Sequence, residues 1–147
     1  MKKRMIRAFA LFGVTFVALL VFIGLYIDET RRVQETYRTQ FISNLSHTSK
    51  SIEDYLDAEG DFELKYRRIL SDMSSADSFA FLLDNLTEQQ KITVNQLHSC
   101  LLKYPEQMKE QERLEALQQA VTDLQSNLDK GFEEADALIA TIDLKGH

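Results

Sequence analysis

The sequence predicts an all-α protein: an N-terminal single transmembrane helix that continues into an antiparallel helical bundle of about four helices, the last a long heptad helix. Three observations predict it. From Ala8 to Ile27 the chain carries no charged side chain, and such a run of about 20 residues is what a helix needs to cross the hydrocarbon core of a bilayer. Only five glycines and one proline occur in 147 residues, too few breakers for a sheet protein or a disordered stalk. Beyond the span, apolar residues recur every three or four positions.

The span is flanked by Lys2, Lys3, Arg4 and Arg7 on one side and by Asp28, Glu29, Arg31 and Arg32 on the other. A cleaved signal peptide has a shorter apolar region, about 7–15 residues, ending in small residues. This run is longer and ends Gly24-Leu25-Tyr26-Ile27-Asp28 with no Ala-x-Ala pattern, which predicts an uncleaved signal-anchor. Orientation follows Lys and Arg near the span ends. Four precede the span, and Arg31, Arg32 and Arg38 follow it, which places the N-terminus in the cytoplasm and the helical domain outside. The expected organisation is a basic tail over 1–7, a transmembrane helix over 8–27, a helical bundle over 28–142 and a frayed tail over 143–147.

Helix 1 is expected to run on to about Ala58, because Val33, Tyr37, Phe41, Leu45, Ile52 and Leu56 keep helical spacing. Gly60 is expected to supply a left-handed cap and Asp61 to cap helix 2. Helix 2 carries the stripe Phe62, Tyr66, Ile69, Met73, Ala76, Ala80 and Leu83, and its end, Phe79 to Leu83, is apolar enough to expect burial on most sides. The serine-rich stretch 71–78 is a weak patch where the helix is expected to loosen. Thr87 and Gln90 fit a capping box for helix 3, which places Val94, Leu97, Leu101 and Tyr104 on one face with Ile92 beside them. Pro105 then opens helix 4, whose seam is Leu114, Leu117, Val121, Leu124, Leu128, Gly131, Ala135, Leu138 and Ile142.

Helix 4 at about 37 residues would be about 55 Å long against about 24 Å for helix 3. The excess seam leaves two readings open, an intramolecular core or cover by a second subunit, and Leu114, Leu117, Val121, Leu124, Leu128, Leu138 and Ile142 are its candidate interaction residues. The expected partners are the lipid bilayer, other proteins and a second copy of the chain.

Chemistry is sparse. Charged residues make up 27% of the chain and the net charge is −6, so a nucleic-acid partner is not expected. Cys100 is the sole cysteine and excludes an internal disulfide. His98 and Cys100, two apart on a helix, point to opposite sides and do not make a metal pair. No phosphate-binding loop, Gly-x-Ser-x-Gly or His-Glu-x-x-His occurs, and neither catalysis nor a cofactor is expected. Asn44-Leu45-Ser46 and Asn85-Leu86-Thr87 match the glycosylation acceptor pattern, which matters only in a eukaryotic host.

The stretch Phe41-Ile42-Ser43-Asn44-Leu45-Ser46-His47 resembles the start of the phosphoacceptor box of sensor histidine kinases. That resemblance implies a dimeric helical hairpin in which His47 accepts a phosphoryl group from ATP. The family has an acidic residue at the next position, where Thr48 stands here. The layout of a span followed by an extracytoplasmic bundle is similar to the sensing modules of bacterial chemoreceptors, which implies a sensor-like regulatory subunit of a larger membrane complex. The residues themselves predict a single-pass, membrane-anchored, non-catalytic bundle that docks or scaffolds proteins at the outer face.

Overall fold

The computed structural model describes residues 2–127 and 130–143. Leu128 of the expected seam and residues 144–147 of the expected tail lie outside the described residues. Six helices and no strand occur among the described residues: α1 (Lys2–Leu56), α2 (Phe62–Leu82), α3 (Glu88–Lys103), α4 (Pro105–Met108), α5 (Gln111–Ser126) and α6 (Phe132–Ala140). The chain divides into two units, Met1–Thr36 and Tyr37–His147.

The first unit is α1 alone. An 18-residue window of it has a mean hydropathy of 2.6 and no buried residue, so this helix is long and apolar enough to cross a membrane. Thr15, inside the apolar run, donates its hydroxyl to Leu11 O at 2.9 Å, which leaves no free donor on that side chain. Beyond the run, Thr30 and Thr36 donate back to Tyr26 O and Arg32 O, and Arg32 pairs with Glu29 at 2.8 Å.

In the second unit α1 presents a narrow stripe, and Phe41, Leu45, Thr48 and Ile52 are completely buried. Thr48 fills the one polar slot of that stripe and satisfies its hydroxyl on Asn44 O at 2.9 Å. α2 packs antiparallel against α1: Tyr37 meets Phe79, Ser51 donates to Asp72 Oδ2 at 2.7 Å, and Tyr55 lies edge-on to Phe62 and Tyr66. α5 reaches the same helix through Gln118 and Thr122, which meet Ser49.

The first turn differs from expectation. Asp61, not Gly60, takes the left-handed conformation, at φ 57°, and its side chain makes no capping bond. Aspartate, with its short polar side chain, is among the non-glycine residues that adopt this region most readily. α2 runs unbroken through the serine-rich stretch, where Ser75 and Ser78 bond back to Ser71 O and Ser74 O. Its end is less buried than its composition predicts. Phe81 is 67% exposed and Leu82 46%, while Ala80 and Leu83 are buried, so the stripe still obeys helical spacing. Phe62 opens the α2 stripe at the first position of the helix and is half-exposed there, and Ile92 is exposed beside the α3 stripe.

α3 begins with the expected capping box. Thr87 Oγ1 accepts from Gln90 N at 3.2 Å and Gln90 Oε1 accepts from Thr87 N at 2.8 Å. Its other end shows why Pro105 stands where it does. In a continuing helix, Leu101 O would accept from the N–H of residue 105, and proline has none. The buried Tyr66 hydroxyl takes that place and donates to Leu101 O at 2.8 Å. Burial pushes the Tyr66 phenol well above the usual tyrosine range.

The largest correction concerns the expected 37-residue helix 4. The segment from Pro105 to Ala140 is three helices. α4 is a single turn, α5 stops at Ser126, and the chain turns back so that α6 lies antiparallel on α5. Asn127 goes extended, Lys130 N bonds to Asn127 O at 2.9 Å, and Gly131 takes φ 85°. A β-carbon on Gly131 would lie 2.5 Å from Ala120 O and 2.8 Å from Leu124, so only glycine lets the hairpin close. The heptad stripe persists across this break, because α6 packs on α5 with the same residues that would have continued the seam. With α5 and α3 both 16 residues long, the length mismatch behind the expected overhanging seam is absent.

Candidate functional site

The expected seam residues lie inside the bundle. Leu114, Leu117, Val121 and Leu124 on α5 have no exposed surface, and Leu138 and Ile142 have 4% and 6%. They hold α5 to α1 and fasten α6 onto α5 and α3. Thr93 Oγ1, 2.9 Å from Asp136 Oδ1, adds a polar tie between α3 and α6. These residues are thus taken up by the core, and the unit presents the outer faces of its helices to its surroundings.

The α5–α6 hairpin presents a groove. Its two helices touch most closely at the Gly131 end, where glycine removes the steric limit. At the other end Arg113 holds them. Its Nη1 pairs with Glu110 at 3.1 Å and donates to Gln107 O at 3.1 Å, and its Nη2 donates to Thr141 O at 3.4 Å. Between these ends lies a cleft of about 440 Å³, with Ala116, Ala137 and Leu138 as its floor and Glu112, Gln119 and Glu134 on its rim. Alanine at two floor positions keeps the groove open, since larger side chains would fill it.

Charge is concentrated on the same hairpin. Residues 110–143 contain nine carboxylates (Glu110, Glu112, Glu115, Asp123, Asp129, Glu133, Glu134, Asp136 and Asp143) against two cations, Arg113 and Lys130. The whole chain has a net charge of −6, so the rest of it is close to neutral and this segment carries the acidity. Arg113 is already paired, while Glu112 and Glu134 form no ion pair among the described residues. The groove is thus apolar below and negative at its edges.

A second hollow, of about 440 Å³, lies beside Lys103, Tyr104 and Pro105 and shares Glu110 and Arg113 with the first. There Gln107 exchanges two bonds with the backbone of Asp143, at 3.0 and 2.9 Å, and fastens that residue to α4. Nearby, Lys109 pairs with Glu63 at 2.6 Å across α4 and α2, which lowers the Glu63 pKa and raises that of Lys109.

The candidate chemical residues are apart. His47 is exposed on α1, with Phe41 and Leu45 of the kinase-like stretch in the core and buried Thr48 after it. His98 Nδ1 lies 3.0 Å from Asp77 Oδ2, which also accepts from Asn95 Nδ2 at 2.9 Å, so these three side chains join α2 to α3. Cys100 is buried, and burial raises its thiol pKa. Among the described residues no three metal-ligating side chains converge.

No family model, curated protein or solved structure matches this chain. The functional reading therefore rests on the geometry. Periodicity alone does not reveal the groove, because a seam that folds back on itself keeps the spacing of an unbroken helix. Its signal was present in Asn127-Leu128-Asp129-Lys130-Gly131, which has the composition of a turn, and in the crowding of carboxylates on either side of it.

Proposed function

We propose that this chain is a single-pass, membrane-anchored helical bundle with a non-catalytic role, docking protein partners at the outer face of the membrane. The observation that carries the docking role is the groove between α5 and α6, with its apolar floor and acidic rim. An apolar centre with a polar rim is the usual anatomy of a protein-binding surface. The anchor is supported by the exposed apolar stretch of α1 near the N-terminus. The outward orientation is supported by four Lys and Arg before the span against three after it.

The test is site-specific photo-crosslinking in intact membranes, with the photoreactive side chain at Gln119 on the groove rim or at Lys50 on the exposed face of α1. The proposal expects a discrete protein adduct from the groove position and none from Lys50. Equal smears from both positions, or lipid adducts alone, would contradict it.

A further inference from the structure

Resting on that docking role, we infer that the occupant of the α5–α6 groove is a cationic helix of a partner protein, one with small residues on the face it lays into the cleft. The groove lies alongside about two turns of each helix, Glu112 to Gln119 on α5 and Glu134 to Thr141 at the end of α6, or about 10 Å of path at 1.5 Å per residue. That length suits two turns of a guest helix. Helices pack at about 8–10 Å between axes, and the closer distances need small side chains at the contact. Ala116 and Ala137 provide them on this side, and the guest needs its own.

The rim settles the guest's sign. Among the described residues Glu112 and Glu134 form no ion pair, and residues 110–143 hold nine carboxylates against two cations. An acidic or neutral guest would leave that field unanswered, and nucleic acid would be repelled by it. Lysines or arginines flanking the guest's small-residue face would meet Glu112 from one side and Glu134 from the other. The same field would speed encounter and make association depend on salt. Apolar contact on the floor then supplies what charge alone does not: a fixed position along the groove.

The probe is an 18-residue alanine-rich helical peptide with one leucine on its small-residue face and lysines along both flanks. The full chain is held in nanodiscs of zwitterionic lipid, and empty nanodiscs give the background. Specific binding is expected, weakening at least about tenfold as salt rises from roughly 0.05 to 0.5 M. The same peptide with glutamates for lysines is expected not to bind. Glu112→Lys with Glu134→Lys should lower affinity about tenfold or more, and Ala137→Trp, which fills the cleft without changing charge, should do the same. Both variants are at exposed positions, and unchanged circular dichroism checks that they fold.

If the charge reversals abolish binding while Ala137→Trp leaves it intact, the surface is a diffuse acidic patch and the inference is overturned. Absence of peptide binding together with a protein adduct at Gln119 would overturn the cationic helix and leave the docking role standing. Absence of both would remove the docking role as well.

Discussion

Between Phe9 and Ile27, α1 is apolar on nearly every side and buries nothing within the chain; between Phe41 and Ile52 it places four residues three or four apart and buries all of them. Phe22 in the first stretch is 76% exposed, and Phe41 in the second is 0% exposed. The residue type is the same and the surroundings are opposite. A uniform apolar surface is matched by a uniform apolar solvent, whereas a narrow stripe is matched by other helices of the same chain. The two stretches should therefore respond to different perturbations.

The largest effect is expected from Leu124→Asp, which buries an unpaired charge in the bundle core beside Gly131. The cost, about 3–5 kcal/mol, is comparable to the whole stability of a small domain. Bundle helicity should be lost while membrane insertion persists. The outer-face change Glu115→Lys should leave both intact, and similar helix loss in the two variants would break the comparison.

Next is Gly131→Ala, expected to destabilise the bundle by about 3 kcal/mol. It puts a β-carbon where φ is 85° and where Ala120 O stands 2.5 Å away. A thermal melt unchanged by this substitution would show that α5 and α6 do not close as described.

Tyr66→Phe should cost about 1–2 kcal/mol, because it leaves Leu101 O without a donor. It also sharpens the pH behaviour. The folded-state pKa of Tyr66 is raised above its unfolded value near 10, so the unfolded chain releases this proton first as pH rises. Stability should fall above about pH 10, and the fall should be smaller in Tyr66→Phe. Identical alkaline denaturation in the two proteins would remove this account of Tyr66.

The smallest effect is expected at His47. It is exposed on α1, its neighbours Phe41 and Leu45 are explained by packing, and the acidic residue that assists transfer in the kinase family is replaced by buried Thr48. Incubation with a small phosphodonor is expected to leave no acid-labile phosphate. Phosphate that disappears in His47→Ala would promote the phosphotransfer reading.

Much of this architecture was legible because the apolar stripes of α1 and α2 keep helical spacing and because α3 begins and ends at residues with strong local preferences. Thr87 and Gln90 predicted their capping box, and Pro105 marked the end of α3. The α5–α6 hairpin was not legible from periodicity. A chain that folds back on its own seam keeps the same three-and-four spacing as one that runs on, so Leu124, Gly131, Ala135 and Leu138 fit either shape. What separates them is backbone conformation at Gly131, which depends on the close approach of Ala120. The groove inherits this ambiguity, since it exists only once the hairpin has closed. Exposure of Phe81 and Leu82 was likewise hidden by a run of five apolar residues, of which only some can face the core.

The most direct measurement places a single cysteine at the exposed position Glu115, with buried Cys100 replaced by alanine, and treats intact cells with a membrane-impermeant thiol reagent. The account predicts labelling of the full-length, membrane-associated chain before lysis. Labelling only after lysis would place the bundle in the cytoplasm and contradict a docking role at the outer face.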